Sequence, residues 1–252
     1  MTAAFPGGTS ITRLSVYPGA CAGGGTPHLH TASTEAYVVI AGRGALQTLD
    51  AGGPRETELS SGSTVWFTPG TIHRAINHGG LEVVVVMQNA GLPEAGDAVM
   101  TFPPEIVADP ARYRRAATLP DGDADVVEAA VRRRRDLAVE GFLGLVASAR
   151  EGDFAPLQRL YDDAVALVRP AVAGWRETWE RTVAQETRNT AAVLDALERG
   201  DGEHLRNAAL LESPPSAAPA WGMCGRLRTH DVAHPLAHPL THPLAHRPGA
   251  PS

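Results

Sequence analysis

Short β-rich runs, broken by Gly, Pro and Asn, fill residues 11–89 of this 252-residue chain. The runs are ITRLSVY, EAYVVIAG, ALQTLD, STVWFTPG, HRAIN and LEVVVVMQNAG. β-Branched and aromatic residues favour strands, whereas Gly, Pro and Asn mark the turns between them. Several short strands at this spacing predict a β-sandwich or a small barrel over residues 1–103.

After residue 124 the apolar residues recur at helical spacing. Asp125, followed by Glu128, is a candidate capping box for a first helix that ends near residues 150–153. The Arg169–Pro170 step and residues 199–202 then divide the remainder into two more helices and a short fourth. The clearest stripe on one helix face consists of Val168, Val172, Trp175, Trp179 and Val183. The pattern therefore predicts an α-helical region over residues 125–212.

Proline-rich segments flank the helical region on both sides. Residues 104–124 are expected to form a linker or a covering arm. Near the C-terminus, His-Pro-Leu recurs every four residues, a proline density that opposes both helix and sheet. We therefore expect a disordered tail over residues 213–252.

The composition excludes several classes of function. The 22 basic residues against 28 acidic ones give a net charge of −6, and no segment combines basic with aromatic residues as nucleic-acid binders do. Every basic residue is Arg, which removes lysine-based Schiff-base chemistry. The RRRR run at 132–135 is balanced by nearby acidic residues and is expected to be a solvated helix face. Nucleic acid is therefore not an expected partner.

Cysteine content and the N-terminal sequence indicate a cytoplasmic protein. Cys21 and Cys224 are too few and too distant in sequence for a disulfide framework. The first ten residues lack a basic segment followed by an apolar one, and no window resembles a membrane span. We therefore expect no membrane partner.

The stretch HLHTASTE carries the strongest chemical signal. In a strand, His28 and His30 project to the same face, and Glu35 can join them from the head of the next run. Two imidazoles and a carboxylate are most of a site for a first-row metal. Downstream, GSTVWFTPGTIHRAIN brings His73 and Asn77 into a later strand behind a Pro-Gly turn.

Together the two stretches resemble the paired motifs of the cupin superfamily. The first motif is matched by His28, His30, Glu35 and Gly42, and the second by Gly62, Gly70, His73 and Asn77. Thr68 stands where the second motif has a proline, although Pro69 follows at once. The resemblance covers about residues 10–100 and includes no second His-x-His, which is typical of a single-cupin, cupin type-2-like protein with a C-terminal helical extension. It implies a mainly β double-stranded β-helix, or jelly-roll barrel, followed by an α-helical region.

The resemblance also implies one divalent transition metal, Fe, Mn, Ni or Zn, held by His28, His30, Glu35 and His73. Tyr37 shares a strand face with Glu35, and Asn77 shares one with His73, so both are candidates for the pocket or for supporting the ligands. Equally, Tyr37 could belong to the core and Asn77 could close a turn. Trp66 and Met87 are expected to be packing residues.

Two classes of function follow. The first is a metal-dependent enzyme acting on a small polar or oxygenated metabolite by dioxygenase, decarboxylase or isomerase-type chemistry. The second is a non-catalytic metabolite-sensing or regulatory module; the absence of a recognisable helix-turn-helix pattern favours the enzyme. A homodimer is also expected if the strand ITRLSVY forms an uncovered sheet edge, although the helical half could cover that edge instead.

Overall fold

The computed structural model describes residues 5–18 and 24–237. Its strands are β1 (Ser10–Val16), β2 (His28–His30), β3 (Glu35–Asp50), β4 (Gly53–Ser60), β5 (Thr64–Phe67), β6 (Ile72–Met87), β7 (Ala98–Met100), β8 (Leu211–Glu212), β9 (Ala220–Trp221), β10 (Gly225–Thr229) and β11 (Leu236–Ala237). Its α-helices are α1 (Pro104–Val107), α2 (Pro110–Ala117), α3 (Ala124–Arg150), α4 (Ala155–Val168), α5 (Val172–Trp179), α6 (Gln185–Glu198) and α7 (Glu203–Arg206). Single 3-10 turns occur at Pro6–Gly8 and Arg169–Ala171, and a π-helical turn at Glu180–Ala184.

The β-rich half forms an antiparallel sheet with the strand order β4-β3-β6-β1-β10-β9. Strand β5 pairs with β3, and the short β2 pairs with both β6 and β7. Alternate residues of β6, among them Leu81, Val83 and Val85, point into an apolar core that also contains Tyr37 and Val39. This confirms the predicted fold class, a β-barrel in the N-terminal half followed by helices.

Two long strands replace four predicted short ones. EAYVVIAG and ALQTLD are both part of β3, while HRAIN and LEVVVVM are both part of β6. The register between them shifts in the segment 39–44, so Gly42 lies in an irregular stretch of a continuous strand. Because glycine marks bulges as well as turns, the sequence alone could not separate the two cases.

A second apolar cluster joins the barrel to the helices. Leu29 and Ile72 from the barrel strands pack with Phe102, Phe142 and Leu157, and α3 and α4 supply the last two. Leu29 lies between His28 and His30 on β2 and therefore faces the opposite way from both.

The helices begin and end close to the predicted points, with one correction. The N-cap of α3 is Asp123, not Asp125. The Arg169–Pro170 step divides α4 from α5, as predicted, through the 3-10 turn Arg169–Ala171 in which the proline occupies the first turn. Proline is tolerated at such a position since the backbone N–H it lacks would have no helical partner there.

The predicted apolar stripe attaches this helix to the loop that follows β6. Trp175 is buried and donates a hydrogen bond from Nε1 to the carbonyl of Ala95 at 3.2 Å. Thr182 donates to the carbonyl of Ala90 at 3.2 Å. Val172 and Trp179 remain partly exposed, so the stripe is only partly covered within the described chain.

The proline-rich segment before α3 contains helices α1 and α2. Val107 belongs to the apolar cluster between barrel and helices, and the Tyr113 hydroxyl accepts a hydrogen bond from the amide of Met100 at 2.9 Å. The segment therefore contacts the barrel through both side chains.

The C-terminal segment differs most from expectation. Instead of being disordered from residue 213, the chain forms β10, which pairs with β1 in the register Leu14↔Leu227. The segment WGMCGRLRT precedes the densest part of the His-Pro-Leu repeat and alternates in the way a strand requires. Residues 238–252 of the predicted tail lie outside the described residues.

Strand β10 also covers the sheet edge on which the expected homodimer was based. Strand β1 lies between β6 and β10 of its own chain, so ITRLSVY offers no free edge there. The homodimer stays a prediction, but without that argument. Trp66 is 70% exposed and is not the packing residue that was predicted, whereas Met87 is buried in the barrel core.

Within the described ranges, we find no helix with the length and apolar character needed to cross a bilayer. The cytoplasmic location stays a prediction.

Replacing Gly42 with Ala should destabilise the barrel strongly. Gly42 has a φ of +72°, and an added Cβ would lie 2.1 Å from the carbonyl oxygen of Gly80 on the neighbouring strand. Left-handed backbone strain of about 1–2 kcal/mol and overpacking of about 1–3 kcal/mol should together lower the free energy of unfolding by about 3 kcal/mol. Chemical denaturation followed by circular dichroism measures the change.

Gly53→Ala provides the matched control, since Gly53 has a φ of +94° but nothing within 4 Å of an added Cβ. Its free energy of unfolding should fall only by the cost of the left-handed backbone, about 1–2 kcal/mol. Equal losses in the two variants would contradict the close approach of β3 and β6 at Gly42.

Candidate metal centre

Three strands bring the predicted ligands together at one end of the barrel. His28 and His30 lie on β2, Glu35 begins β3, and His73 is the second residue of β6, where it pairs directly with His28. One ligand atom from each of the four lies within 4.8 Å of the others, and all four side chains are buried. The group could therefore hold a metal ion.

Each imidazole is fixed through its Nδ1 atom. The Nδ1 of His28 lies 2.8 Å from the carbonyl oxygen of Thr26, and that of His73 lies 3.1 Å from the carbonyl oxygen of Thr71. Since a carbonyl oxygen only accepts, both Nδ1 atoms carry the proton and donate it. In the neutral form of His28 and His73, Nε2 then carries the free lone pair, which is the tautomer that a metal requires.

The atoms at the centre of the group lack partners of their own. Nε2 of His30 and Nε2 of His73 lie 3.0 and 3.1 Å from Oε2 of Glu35. Among the described residues, neither Nε2 of His73 nor Oε2 of Glu35 has a hydrogen-bond partner. Buried polar atoms are rarely left unpaired, and nitrogen and oxygen lone pairs that face one another are relieved by a cation between them. Three imidazoles and one carboxylate fit a divalent transition metal.

Burial and the neighbouring side chains shift the pKa values of His28 and Glu35. Burial lowers the pKa of His28, and the neighbouring His73 and His30 add to this effect. Burial also opposes charge on Glu35, but His73 and His30 outweigh it and hold the pKa of that carboxyl well below its usual range. A neutral imidazole and an ionised carboxylate are the forms that bind metal.

Asp97 is a supporting residue that the sequence analysis missed. Its carboxylate is fully buried and lies 2.6 Å from Nδ1 of His30. Burial works against a charged His30, but Asp97 at Nδ1 and the adjacent carboxylate of Glu35 raise its pKa to about 10. A metal ion would therefore displace a proton from Nε2 of His30 on binding. Asp97 lies in the loop before β7, where nothing in the local pattern PEAGDA distinguishes a buried acid from a turn residue.

Tyr37 belongs to the core and to the pocket at once. Its ring is fully buried and meets Phe67 edge-on, with the ring centroids 5.3 Å apart, and Phe67 in turn lies 4.0 Å from the His73 ring. Its hydroxyl donates to Sγ of Cys224 at 3.8 Å, and burial raises its pKa well above the usual value.

Asn77 is not brought to the group. Its amide donates to the carbonyl of Val16 at 2.8 Å, and its side-chain oxygen accepts from the amides of Gly79 and Leu81 at 2.8 and 3.1 Å. These contacts lie within β6, beside its register shift against β3, so Asn77 has a local structural role, close to the turn-closing alternative predicted for it.

A cavity of about 220 Å³ borders the group. His28, His30 and Glu35 form one end of it, next to Tyr37. Cys224, from the segment just before β10, lies beside Tyr37 in the cavity wall. The group is therefore reachable by a small molecule although its side chains are buried.

Comparison with known families identifies residues 13–88 as a cupin domain. This range contains all four grouped side chains. A comparison with curated proteins finds no match.

Several solved structures are similar to part of this chain. A Klebsiella pneumoniae protein with a double-stranded β-helix domain is 22% identical over 32% of this chain and 66% of its own, with a TM-score of 0.28. A predicted oxalate decarboxylase from Thermotoga maritima is 22% identical over 31% and 64%, with a TM-score of 0.27. The Streptomyces nucleoside dehydratase Pac13 is 16% identical over 38% and 69%, with a TM-score of 0.30. The chain thus covers slightly less than two thirds of the first two proteins.

Replacing Asp97 with Asn should weaken metal binding while leaving the four grouped side chains in place. The amide can still accept from Nδ1 of His30, but it lacks the negative charge that makes the imidazole a stronger ligand. Loss of such a partner typically costs about 10–100-fold in metal affinity. Competition with a chromophoric chelator measures the affinity.

Asp153→Asn is the matched control, because Asp153 is exposed and accepts a hydrogen bond only at the start of α4. It should bind metal as the unmodified protein does. An Asp97→Asn protein with unchanged affinity would exclude a supporting role for Asp97.

Proposed function

We propose that this chain is a metal-dependent enzyme acting on a small polar or oxygenated metabolite. The proposal starts from the N-terminal barrel, which belongs to the cupin superfamily. One observation carries the proposal: a buried group of three imidazoles and a carboxylate borders a cavity of about 220 Å³. A purely structural metal site would be closed to small molecules, whereas catalysis needs an open side.

In this proposal His28, His30, Glu35 and His73 hold one divalent ion, which is Fe, Mn, Ni or Zn. When bound, such an ion supplies Lewis acidity or redox chemistry at an oxygen of the substrate. The reaction classes compatible with it are dioxygenation, decarboxylation and isomerisation.

The surrounding residues have distinct roles. The carbonyls of Thr26 and Thr71 and the carboxylate of Asp97 hold the three rings in one tautomer and one orientation. Tyr37 presents a hydroxyl in the cavity wall, where it can donate a hydrogen bond to a ligand in place of the weak acceptor Sγ of Cys224. The apolar part of the wall limits the access of water to the group.

The first experiment is elemental analysis of protein purified without a metal-affinity resin, because the C-terminal histidines can bind such a resin by themselves. We expect about one equivalent of a single transition metal per chain, as for other sites of this ligand type. A metabolite screen on that metal form, which follows oxygen consumption and product masses, then tests turnover. Metabolite binding without any turnover would favour the sensory alternative.

Replacing His73 with Ala should remove the metal and leave the barrel folded. His73 is fully buried and supplies one of four ligands, so metal affinity should fall by more than about 100-fold. The apolar core around Leu81 and Val83 does not depend on the ion, and a domain of this size can fold on such a core. Circular dichroism should keep its β signal while bound metal and turnover are largely lost.

His78→Ala is the control, since His78 is an exposed histidine on the same strand. It should keep both metal and turnover. An unfolded His73→Ala protein would instead indicate a structural metal, and one that retained metal and activity would exclude His73 as a ligand.

A further inference from the structure

The cavity has a wall that lies outside the family's matched residues. This C-terminal wall, residues 223–229, contributes Met223, Cys224, Leu227 and Thr229 to the lining. The family match ends at residue 88. Any ligand selectivity that the C-terminal wall provides is therefore a property of this chain rather than of the barrel alone.

Backbone hydrogen bonds fix the wall to the barrel. The amide of Thr26 donates to the carbonyl of Met223 at 3.0 Å, and the amide of Tyr17 donates to the carbonyl of Cys224 at 3.2 Å. Just before the wall, the Gly222 carbonyl accepts from the Tyr17 hydroxyl and from Arg134 of α3, both at 3.1 Å. The wall is therefore held from two sides, by the barrel and by the helical region.

The fit between wall and barrel is close. Gly25 faces Cys224 so closely that an added Cβ would lie 2.7 Å from Sγ. An added Cβ on Gly225 would lie 2.1 Å from the carbonyl oxygen of Ser15 on β1. With so little space behind it, the wall has a defined position and can set the shape of the cavity.

Strand alternation sends the basic residues of this region away from the cavity. Leu14 and Leu227, which are paired across β1 and β10, both line the cavity. Arg226 and Arg228 therefore project to the opposite face, where Arg226 lies 3.8 Å from the Trp221 ring and Arg228 donates to backbone carbonyls.

Apart from the imidazoles of the grouped side chains, the only charges in the described cavity lining are those of carboxylates. No Arg lines the cavity among the described residues. Glu94 stands at its exposed rim, where it accepts hydrogen bonds from Ser10 and Gly91. Burial raises the pKa of the Cys224 thiol to about 12, so this side chain is neutral.

We infer that this cavity takes a small molecule whose body is apolar and uncharged, with an oxygen-bearing end at the His28, His30 and Glu35 side, and that Leu227 and Met223 determine what fits. The inference rests on the proposed function and narrows its substrate class. A carboxylate or phosphate on the body of the ligand would meet Leu14, Val85 and Leu227, with no Arg among the described lining residues to pair it, and burying such an unpaired charge is costly.

The cavity volume bounds the size of the ligand. At about 220 Å³ it is smaller than the roughly 300–1,000 Å³ of typical drug-sized pockets. A ligand with a short aliphatic or single-ring body fits this space.

Three hydroxamic acids with the same oxygen-donor end test the inference by calorimetry on the full-length protein carrying its own metal. Hexanohydroxamic acid has an apolar body, and succinic monohydroxamic acid has a carboxylate on its body. Acetohydroxamic acid has only a methyl group as its body. Because it alone buries a long apolar body without burying a charge, hexanohydroxamic acid should bind at least about tenfold more tightly than either of the others. Equal affinities, or a preference for the carboxylate compound, would overturn the inference.

Variants of Leu227 link the preference to the wall. Leu227→Ala should weaken the binding of hexanohydroxamic acid by about tenfold and leave the affinity for acetohydroxamic acid unchanged, because only the longer body reaches this side chain. Leu227→Arg should shift the preference toward the succinic compound by adding a cation. Leu205→Ala, at a leucine that is 66% exposed on α7, should change neither affinity.

The outcomes separate the two proposals. If elemental analysis finds no metal and none of the three compounds binds, the proposed function fails and the inference fails with it. If metal is present and all three bind with equal affinity, only the inference fails. If Leu227→Arg does not fold, as judged by circular dichroism, the comparison in the unmodified protein and in Leu227→Ala still decides the matter.

Discussion

The arrangement at the barrel end depends on one constraint, the hydrogen bond that each buried imidazole donates from Nδ1. The acceptors are the carbonyls of Thr26 and Thr71 and the carboxylate of Asp97. Because Thr26, Thr71 and Asp97 lie just before β2, β6 and β7, their positions are fixed by these strands, and the rings cannot turn without leaving a polar atom unpaired. The Nε2 atoms of His30 and His73 are thereby directed toward Glu35, and the geometry exists before any ligand arrives, which lowers the entropic cost of binding.

Strand β2 couples this geometry to the rest of the molecule. Its two histidines face the barrel interior, while Leu29 between them packs into the cluster that contains Phe142 and Leu157 of the helices. A three-residue strand would hold its position poorly on its own. With one face in each layer, β2 is positioned by the helical half as much as by the sheet, so the helices contribute to the accuracy of the site without supplying any of the four grouped side chains.

The sequence predicted the barrel and the grouping of His28, His30, Glu35 and His73 because spacing along strands is a local property. It did not predict Asp97 or the C-terminal wall, since both act through contacts with residues distant in sequence. Asn77 has the spacing of the motif, yet its three hydrogen bonds are to backbone atoms, a choice that spacing cannot reveal. The extent of the tail was misjudged because the proline repeat dominated the pattern, although β9 and β10 lie just before it, in residues 220–229.

The pairing of β1 with β10 has a consequence for the order in which the molecule assembles. Leu14 and Leu227 are neighbours in the sheet although roughly 200 residues separate them along the chain. During synthesis the other barrel strands and the helices emerge first, and one edge of β1 stays unpaired until β10 leaves the ribosome. Closing so long a loop is entropically costly and slow, so the cavity acquires its final wall only after the rest of the fold has formed. A nascent or C-terminally clipped chain would therefore expose both an unpaired strand edge and the candidate metal-binding group at the same time.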